Sequence, residues 1–452
     1  MTSGPSSGLQ NIPRAPGGLP LVGHAWPLWR DPLAFLKELR DTGDLARVDI
    51  GTMPVVFVNS AELAWEVMVT QAAKFHKGRF FDRLRSLVGD GLATSDGPVH
   101  RQHRRLMQPM FHRERIAGYA ELMGRRAREL ADSWQAGQTL DVGEVMAQWV
   151  VTTLAETMFS AEIGKPAAEV VQRNVPIIIE NLLIRTLSPR LLDGLPIPAN
   201  RRFDAATREL HKVIDEVVSA VRQAGDGDQP DLLSTLIAAR DADTGEALTD
   251  TEVRDELGTI LFAGTETTAT TLAWAFHEIA RHPQVEKQLL AELDEVVGHR
   301  PVTFEDVTHL PYLRRVIDEV TRLHGVTLLM RRATEPVEIG GVTVPEGTEV
   351  AFSLYALHQD PRLFPQPERF DPDRWLPERT EGVNLRQAFL PFGAGNRKCI
   401  GDAFSWTEIT ILLATVLPRW QLQHEPGSTP REIAAAVPRP DHLSMIVRDR
   451  RD

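Results

Sequence analysis

Cysteine is nearly absent from this chain: there is one, Cys399, in 452 residues. A lone thiol excludes an internal disulfide framework and any zinc site built from cysteines alone. Long apolar runs are missing too. The stretch from Met1 to Trp29 has neither a bilayer-length hydrophobic segment nor a basic region leading into an apolar core. No membrane span and no secretory signal are therefore expected, and the protein is expected in the cytoplasm. Positive charge is also short, with 50 Lys and Arg against 62 Asp and Glu and a net charge of −12. That balance speaks against nucleic acid, which rewards clustered basic residues. There is no internal repeat and no low-complexity linker.

The remainder reads as one large domain over residues 1–452, opened by a proline- and glycine-rich leader (1–30). Two regions have strand character. Leu45 to Val58 carries Gly51 and Pro54 at its middle, which predicts an antiparallel hairpin. Val337 to Ser353 has turn signals at Gly340-Gly341 and Glu346-Gly347 between β-branched runs. Helical spacing dominates elsewhere, in Leu63–Thr70, Arg113–Gln135, Asp141–Phe159, Ala205–Ala224, Thr251–Arg281, Pro283–Val297 and Leu310–His324. Gly225 to Asp228 reads as a loop. The fold class is mainly α with a small β portion.

The longest helix starts at a capping-box spacing, Thr249 to Glu252, and stops at His282-Pro283. About thirty residues at ~1.5 Å each would span a whole domain. Its middle, Ala263-Gly264-Thr265-Glu266-Thr267-Thr268, is poor in helix formers, and a threonine hydroxyl can bond back one turn and bend the helix.

The most informative segment is Phe392-Gly393-Ala394-Gly395-Asn396-Arg397-Lys398-Cys399-Ile400-Gly401. Its glycines permit tight turns and close approach of a flat ligand. Cys399 is expected at the entry to an apolar helix, Ile400–Leu417, where the helix dipole and nearby Arg397 and Lys398 favour a thiolate.

Phe392, Gly395, Arg397, Cys399 and Gly401 match the pattern F-x-x-G-x-R-x-C-x-G, and on it the chain resembles the cytochrome P450 family. The resemblance implies a fold with a long central helix over a haem b (iron protoporphyrin IX), whose iron Cys399 ligates. It implies that Ala263 and Gly264 make room for dioxygen, that Thr267 hydrogen-bonds that oxygen, and that Glu266 relays protons. Arg397 would pair with a haem propionate, and Phe392, Gly393 and Gly401 would shape the loop. His100 and Arg104, one helical turn apart, fit a second propionate site, with His103 as a rival to His100. Arg331 resembles a further propionate contact, with Arg332 as its rival. Glu319, Arg322 and Arg369 stand at the family's structural Glu-Arg-Arg positions.

The implied reaction inserts one atom of O2 into a C–H or C=C bond. Electrons would come ultimately from NAD(P)H, through a separate ferredoxin and ferredoxin reductase, no fused reductase being expected. Apolar stretches holding Leu261, Phe262, Val326 and Leu328, and a lid at Val175–Leu183, point to a lipophilic substrate. In overall wording the chain is similar to bacterial terpene-oxidising members of the family. A sesquiterpene hydrocarbon is the first expectation and a macrolide or polyketide intermediate the next, in secondary metabolism such as antibiotic biosynthesis. A peroxide-using or non-oxidative haem-thiolate enzyme, and a non-catalytic haem protein, are the other readings. A monomer is expected.

Overall fold

The computed structural model describes residues 8–159, 167, 169–171, 173–175, 177–178, 181, 195–224, 231–241 and 244–450. The Gly225–Asp228 loop and part of the expected lid, including Leu182 and Leu183, lie outside the described residues. The chain gathers into two compact units, each assembled from separated stretches. The first comprises Met1–Phe80, Arg315–Cys399 and Glu432–Arg439; the second comprises Phe81–Arg314, Ile400–Arg431 and Pro440–Asp452.

The strands used below are β1 (Leu45–Ile50), β2 (Met53–Val58), β3 (Phe75–Lys77), β4 (Thr139–Asp141), β5 (Leu329–Ala333), β6 (Val337–Ile339), β7 (Val342–Val344), β8 (Glu349–Phe352), β9 (Trp420–His424) and β10 (Ser444–Asp449). The helices are α1 (Gly97–Met107), α2 (Arg113–Ser133), α3 (Val142–Met158), α4 (Asp250–Arg281), α5 (Pro311–Leu323), α6 (Leu354–His358) and α7 (Asp402–Val416).

The first unit is built on a five-stranded sheet, ordered β1-β2-β8-β5-β3. The expected hairpin forms, with Leu45 opposite Val58 and Ile50 opposite Met53. Its turn uses Gly51 at φ 60°, while Pro54 is taken into β2 opposite Asp49. Strand β2 then pairs in parallel with β8, Val56 facing Val350. Both faces of this pair are covered. Val56, Val350 and Phe352 belong to one apolar cluster, and Val55, Phe57 and Ala351 to another. A strand buried on both sides reads as a continuous apolar run, as Val55-Val56-Phe57-Val58 does.

Strands β6 and β7 form a separate two-stranded ribbon. Their turn residues Gly340 and Gly341 both have positive φ, 56° and 77°, as a tight hairpin turn requires. The region expected from Val337 to Ser353 is therefore divided, its last strand joining the large sheet. The helix expected at Leu63–Thr70 is also two pieces: an α-turn, Ala61–Trp65, continues as a π-turn, Glu66–Thr70.

The second unit is helical. Helix α4 spans 32 residues and starts at the Thr249/Glu252 capping box, both of whose reciprocal bonds are present. Its buried face runs through Leu257, Leu261, Thr265, Thr268 and Leu272, and it packs along α3. Helix α7 packs on α2. A three-stranded antiparallel sheet, β4-β10-β9, completes the unit. Among the described residues no helix is long and apolar enough to cross a membrane.

Candidate active site

In the first unit the cysteine loop is closed by its own backbone. Gly393 N–H donates to Leu390 O at 2.9 Å, Lys398 N–H to Gly395 O at 3.1 Å, and Cys399 N–H to Phe392 O at 2.9 Å. Gly393 and Gly395 sit at φ 68° and 70°, a region that disfavours other residues. At Gly395 room is lacking as well, because a Cβ would lie 2.5 Å from Met68 O in the π-turn. Gly401 is different. Its φ is −92°, and a Cβ there would make an ordinary 3.7 Å contact with Phe111. The helix after the loop begins at Asp402 with Gly401 as its N-cap, so Cys399 precedes the first helical residue instead of entering the helix at Ile400. The thiol is exposed, and as the single cysteine it forms no disulfide. A cysteine used as a small core hydrophobe would be buried.

The same unit holds a buried ionic clamp. Arg322 grips Glu319 with two bonds, Nε–Oε2 at 2.9 Å and Nη2–Oε1 at 2.8 Å, and neither residue has any exposed surface. The second guanidinium is that of Arg374, with Nε 3.2 Å from Glu319 Oε1. This corrects the expectation for Arg369, whose side chain is exposed. Arg369 enters through its carbonyl, which accepts from Arg322 Nη2 at 3.2 Å and from Arg374 Nη2 at 3.3 Å. The physical reason is the 3-10 turn Pro372–Trp375, which turns the chain so that Arg374 comes inward. Asp371 N–H adds a bond to Glu319 Oε1 at 3.0 Å.

Arg331 and Arg332 point to opposite faces of β5. Arg332 is paired with Glu349, Nε–Oε1 2.7 Å, while Arg331 is buried beside Phe352, its Nη1 donating to Met330 O at 2.8 Å. The alternation of a strand separates the two rivals. Arg397 donates from Nη2 to Phe75 O at 2.6 Å and from Nη1 to Ala72 O at 3.3 Å, bonds that orient its five-donor fork. Val326 and Leu328 remain half-exposed.

In the second unit, His100 and Arg104 share one face of α1, His100 buried and Arg104 half-buried. The rival His103 is committed elsewhere. Its Nδ1 lies 2.6 Å from Glu256 Oε1, and Glu256 Oε2 accepts from Leu92 N–H at 3.0 Å. Burial alone would lower the His103 pKa, but the Glu256 and Glu252 carboxylates more than offset it, and the net shift is upward.

Helix α4 is continuous through Ala263–Thr270, with no break at the threonine run. The threonines bond back one turn instead: Thr265 to Leu261 O at 2.8 Å, Thr267 to Ala263 O at 2.9 Å and Thr271 to Thr267 O at 2.9 Å. Ala263 is exposed, and Glu266 and Thr267 are half-exposed. Gly264 instead faces α3, where a Cβ would come within 2.9 Å of Leu154 Cδ2. Leu261, expected to line a substrate pocket, has no exposed surface, because its helical position places it on the packed face; Phe262 is half-exposed.

An iron porphyrin asks for one accessible thiolate, a backbone free of side chains beside it, and basic groups for two propionates. The residues present fit these demands. The thiol is exposed, a Cβ on Gly393 would meet nothing closer than 4.0 Å, and each unit carries basic side chains of the required kind.

The comparisons agree with this chemistry. The model of the family described as Cytochrome P450 matches residues 13–445. Cyclooctat-9-en-7-ol 5-monooxygenase from Streptomyces melanosporofaciens is 42% identical over 92% of this chain and 90% of its own length. Cyclooctatin synthase from the same organism is also 42% identical, with the same coverage. Pentalenene oxygenase from Streptomyces avermitilis is 37% identical over 94% of both chains. Among solved structures, the haem domain of cytochrome P450DA superposes with a TM-score of 0.87 at 28% identity, over 97% of this chain and 98% of that one. The chain belongs to the cytochrome P450 family. It is a haem-dependent monooxygenase, similar over nearly its whole length to those Streptomyces enzymes.

The functional residue that sequence reasoning missed is Arg374. Its signal was present in Pro372-Asp373-Arg374-Trp375, five residues beyond the arginine chosen.

Proposed function

We propose that this chain oxidises a lipophilic terpenoid in secondary metabolism, with a sesquiterpene hydrocarbon the first choice of substrate. Electrons pass from NAD(P)H through a ferredoxin reductase and a ferredoxin, in the cytoplasm. Support for the substrate class comes from the names of the relatives, an alkene alcohol and pentalenene among them. Support for the chemistry rests on one observation: the single cysteine presents an exposed thiol from a loop whose backbone is already closed.

The roles follow residue by residue. Cys399 would supply the thiolate that holds the iron. Arg331, Arg397, His100 and Arg104 would hold the propionates. Haem, when bound, supplies the oxygen-activating chemistry. Thr267 holds a hydroxyl at the half-exposed face of α4, its proton given to Ala263 O and its lone pairs able to accept another. Glu266 beside it is a carboxylate that can collect protons from water and pass them on. Lys398, exposed on the cysteine loop, suits the electrostatic docking of an acidic electron carrier.

The first test is spectroscopic. Reduced holoprotein under carbon monoxide should show the strongly red-shifted Soret band of thiolate ligation, and Cys399→Ala should abolish it. Retention of that band in the variant would end the haem-thiolate reading. The second test incubates the enzyme with ferredoxin, reductase and NADPH over a panel of terpene hydrocarbons and alcohols. Products that add one oxygen are expected from terpenes; turnover of macrolide substrates alone would overturn the assignment of substrate.

A further inference from the structure

One buried histidine takes no part in the roles above. His358 ends helix α6 and has no exposed surface. Its backbone carbonyl accepts from Arg322 Nη1 at 2.9 Å, which ties it to the ionic clamp. Its ring does something else. Nε2 lies 2.9 Å from the backbone N–H of Leu390, two residues before Phe392. A backbone amide can only donate, so Nε2 must be the bare, accepting nitrogen, and the ring proton must sit on Nδ1. Nδ1 itself has no hydrogen-bond partner among the described residues. The ring stands against Phe389 at 5.2 Å between centroids, and Phe389 in turn meets Trp375 at 4.3 Å.

These contacts make a short mechanical chain. Glu319 holds Arg322, Arg322 holds the His358 carbonyl, and the His358 ring holds Leu390. Leu390 O accepts from Gly393 N–H, and Phe392 O accepts from Cys399 N–H. The loop's glycines would let it slide along several backbone paths, and the His358 acceptor pins its entrance.

We propose that His358 is a positioning residue for the thiolate loop, acting through Nε2 as the acceptor that fixes Leu390 and thereby the placement of the Cys399 sulfur. The inference rests on the reading of Cys399 as the iron ligand. An imidazole in this role must stay neutral, since protonation would turn the acceptor into a donor facing a donor. A carboxamide of the right reach can replace it, because the Gln side-chain oxygen can accept the same bond.

The test compares His358→Leu with His358→Gln as haem-loaded proteins. The readout is the ratio of the red-shifted thiolate band to the blue-shifted thiol band under reducing carbon monoxide. Losing one buried hydrogen bond should lower that ratio roughly tenfold in the Leu variant, with the Gln variant within about threefold of the parent. A Leu variant with the parent's ratio overturns the proposal, and so does a Gln variant as deficient as Leu. Should the Leu variant not take up haem, hydrogen exchange of the Leu390 amide in the parent decides. Strong protection kept by the Gln variant supports the proposal, and an unprotected Leu390 amide refutes it. Failure of the thiolate reading is distinct, because the parent itself would then lack the red-shifted band.

Discussion

The ionic clamp of the first unit and the threonine turn of α4 in the second are both polar, but they satisfy their groups differently. Glu319, Arg322 and Arg374 draw partners from distant segments, the His358, Pro365, Gln366 and Arg369 carbonyls and the Asp371 amide among them. The hydroxyls of Thr265, Thr267 and Thr271 are satisfied by carbonyls one turn back on their own helix. The first arrangement is collective, so removal of one member leaves buried charge uncompensated. The second is local, so one hydroxyl can be removed or redirected with little effect on its neighbours.

The sharpest break of this contrast should come from Arg374→Ala, which is expected to cost roughly 3–5 kcal/mol, with haem loss on purification. Arg369→Ala should stay within about 0.5 kcal/mol, since only its carbonyl is engaged. Denaturant midpoints of the two variants measure the difference, and equal values would return Arg369 to the clamp. Next in size is Gly395→Ala, expected to cost about 1–3 kcal/mol through its positive φ and the Met68 carbonyl. Gly401→Ala, free of both constraints, should cost a few tenths of a kcal/mol at most, as thermal unfolding can check.

A smaller effect is expected from pH. Burial, with the Arg322 charge a lesser cause, lowers the His358 pKa from the ordinary 6.5 to about 3. The unfolded chain therefore takes up this proton first, and the stability contributed is complete above pH 6.5 and declines as pH falls toward 3. The slope approaches ~1.4 kcal/mol per pH unit, and it should be absent from His358→Gln, so that the stability difference between parent and variant changes with pH over this range. Smallest in stability is Thr267→Ala, within about 1 kcal/mol. Its signature should be chemical: NAD(P)H consumed without matching product, and peroxide released. Unchanged coupling would remove Thr267 from proton delivery.

Much of this was legible in local sequence. The capping box, the stop at His282-Pro283 and the Gly340-Gly341 turn are short-range signals, and each is where it was expected. The cysteine loop was readable because five spaced residues carry it. What escaped depends on tertiary direction. Spacing could not say which of two nearby arginines turns inward, nor that Leu261 faces the packed side of α4 while Phe262 does not. The exclusion of His103 likewise needed Glu256, which lies 153 positions along the chain. The parallel pairing of β2 with β8 has no local mark at all.

Arg369 has a practical consequence. Because the clamp uses only its carbonyl while its side chain is exposed, a thiol introduced as Arg369→Cys would keep the bond network and accept a maleimide fluorophore. If the native thiol holds iron as proposed, that dye would be a single reporter seated on the clamp. Its emission would follow, in real time, the loosening of the support on which the metal centre rests.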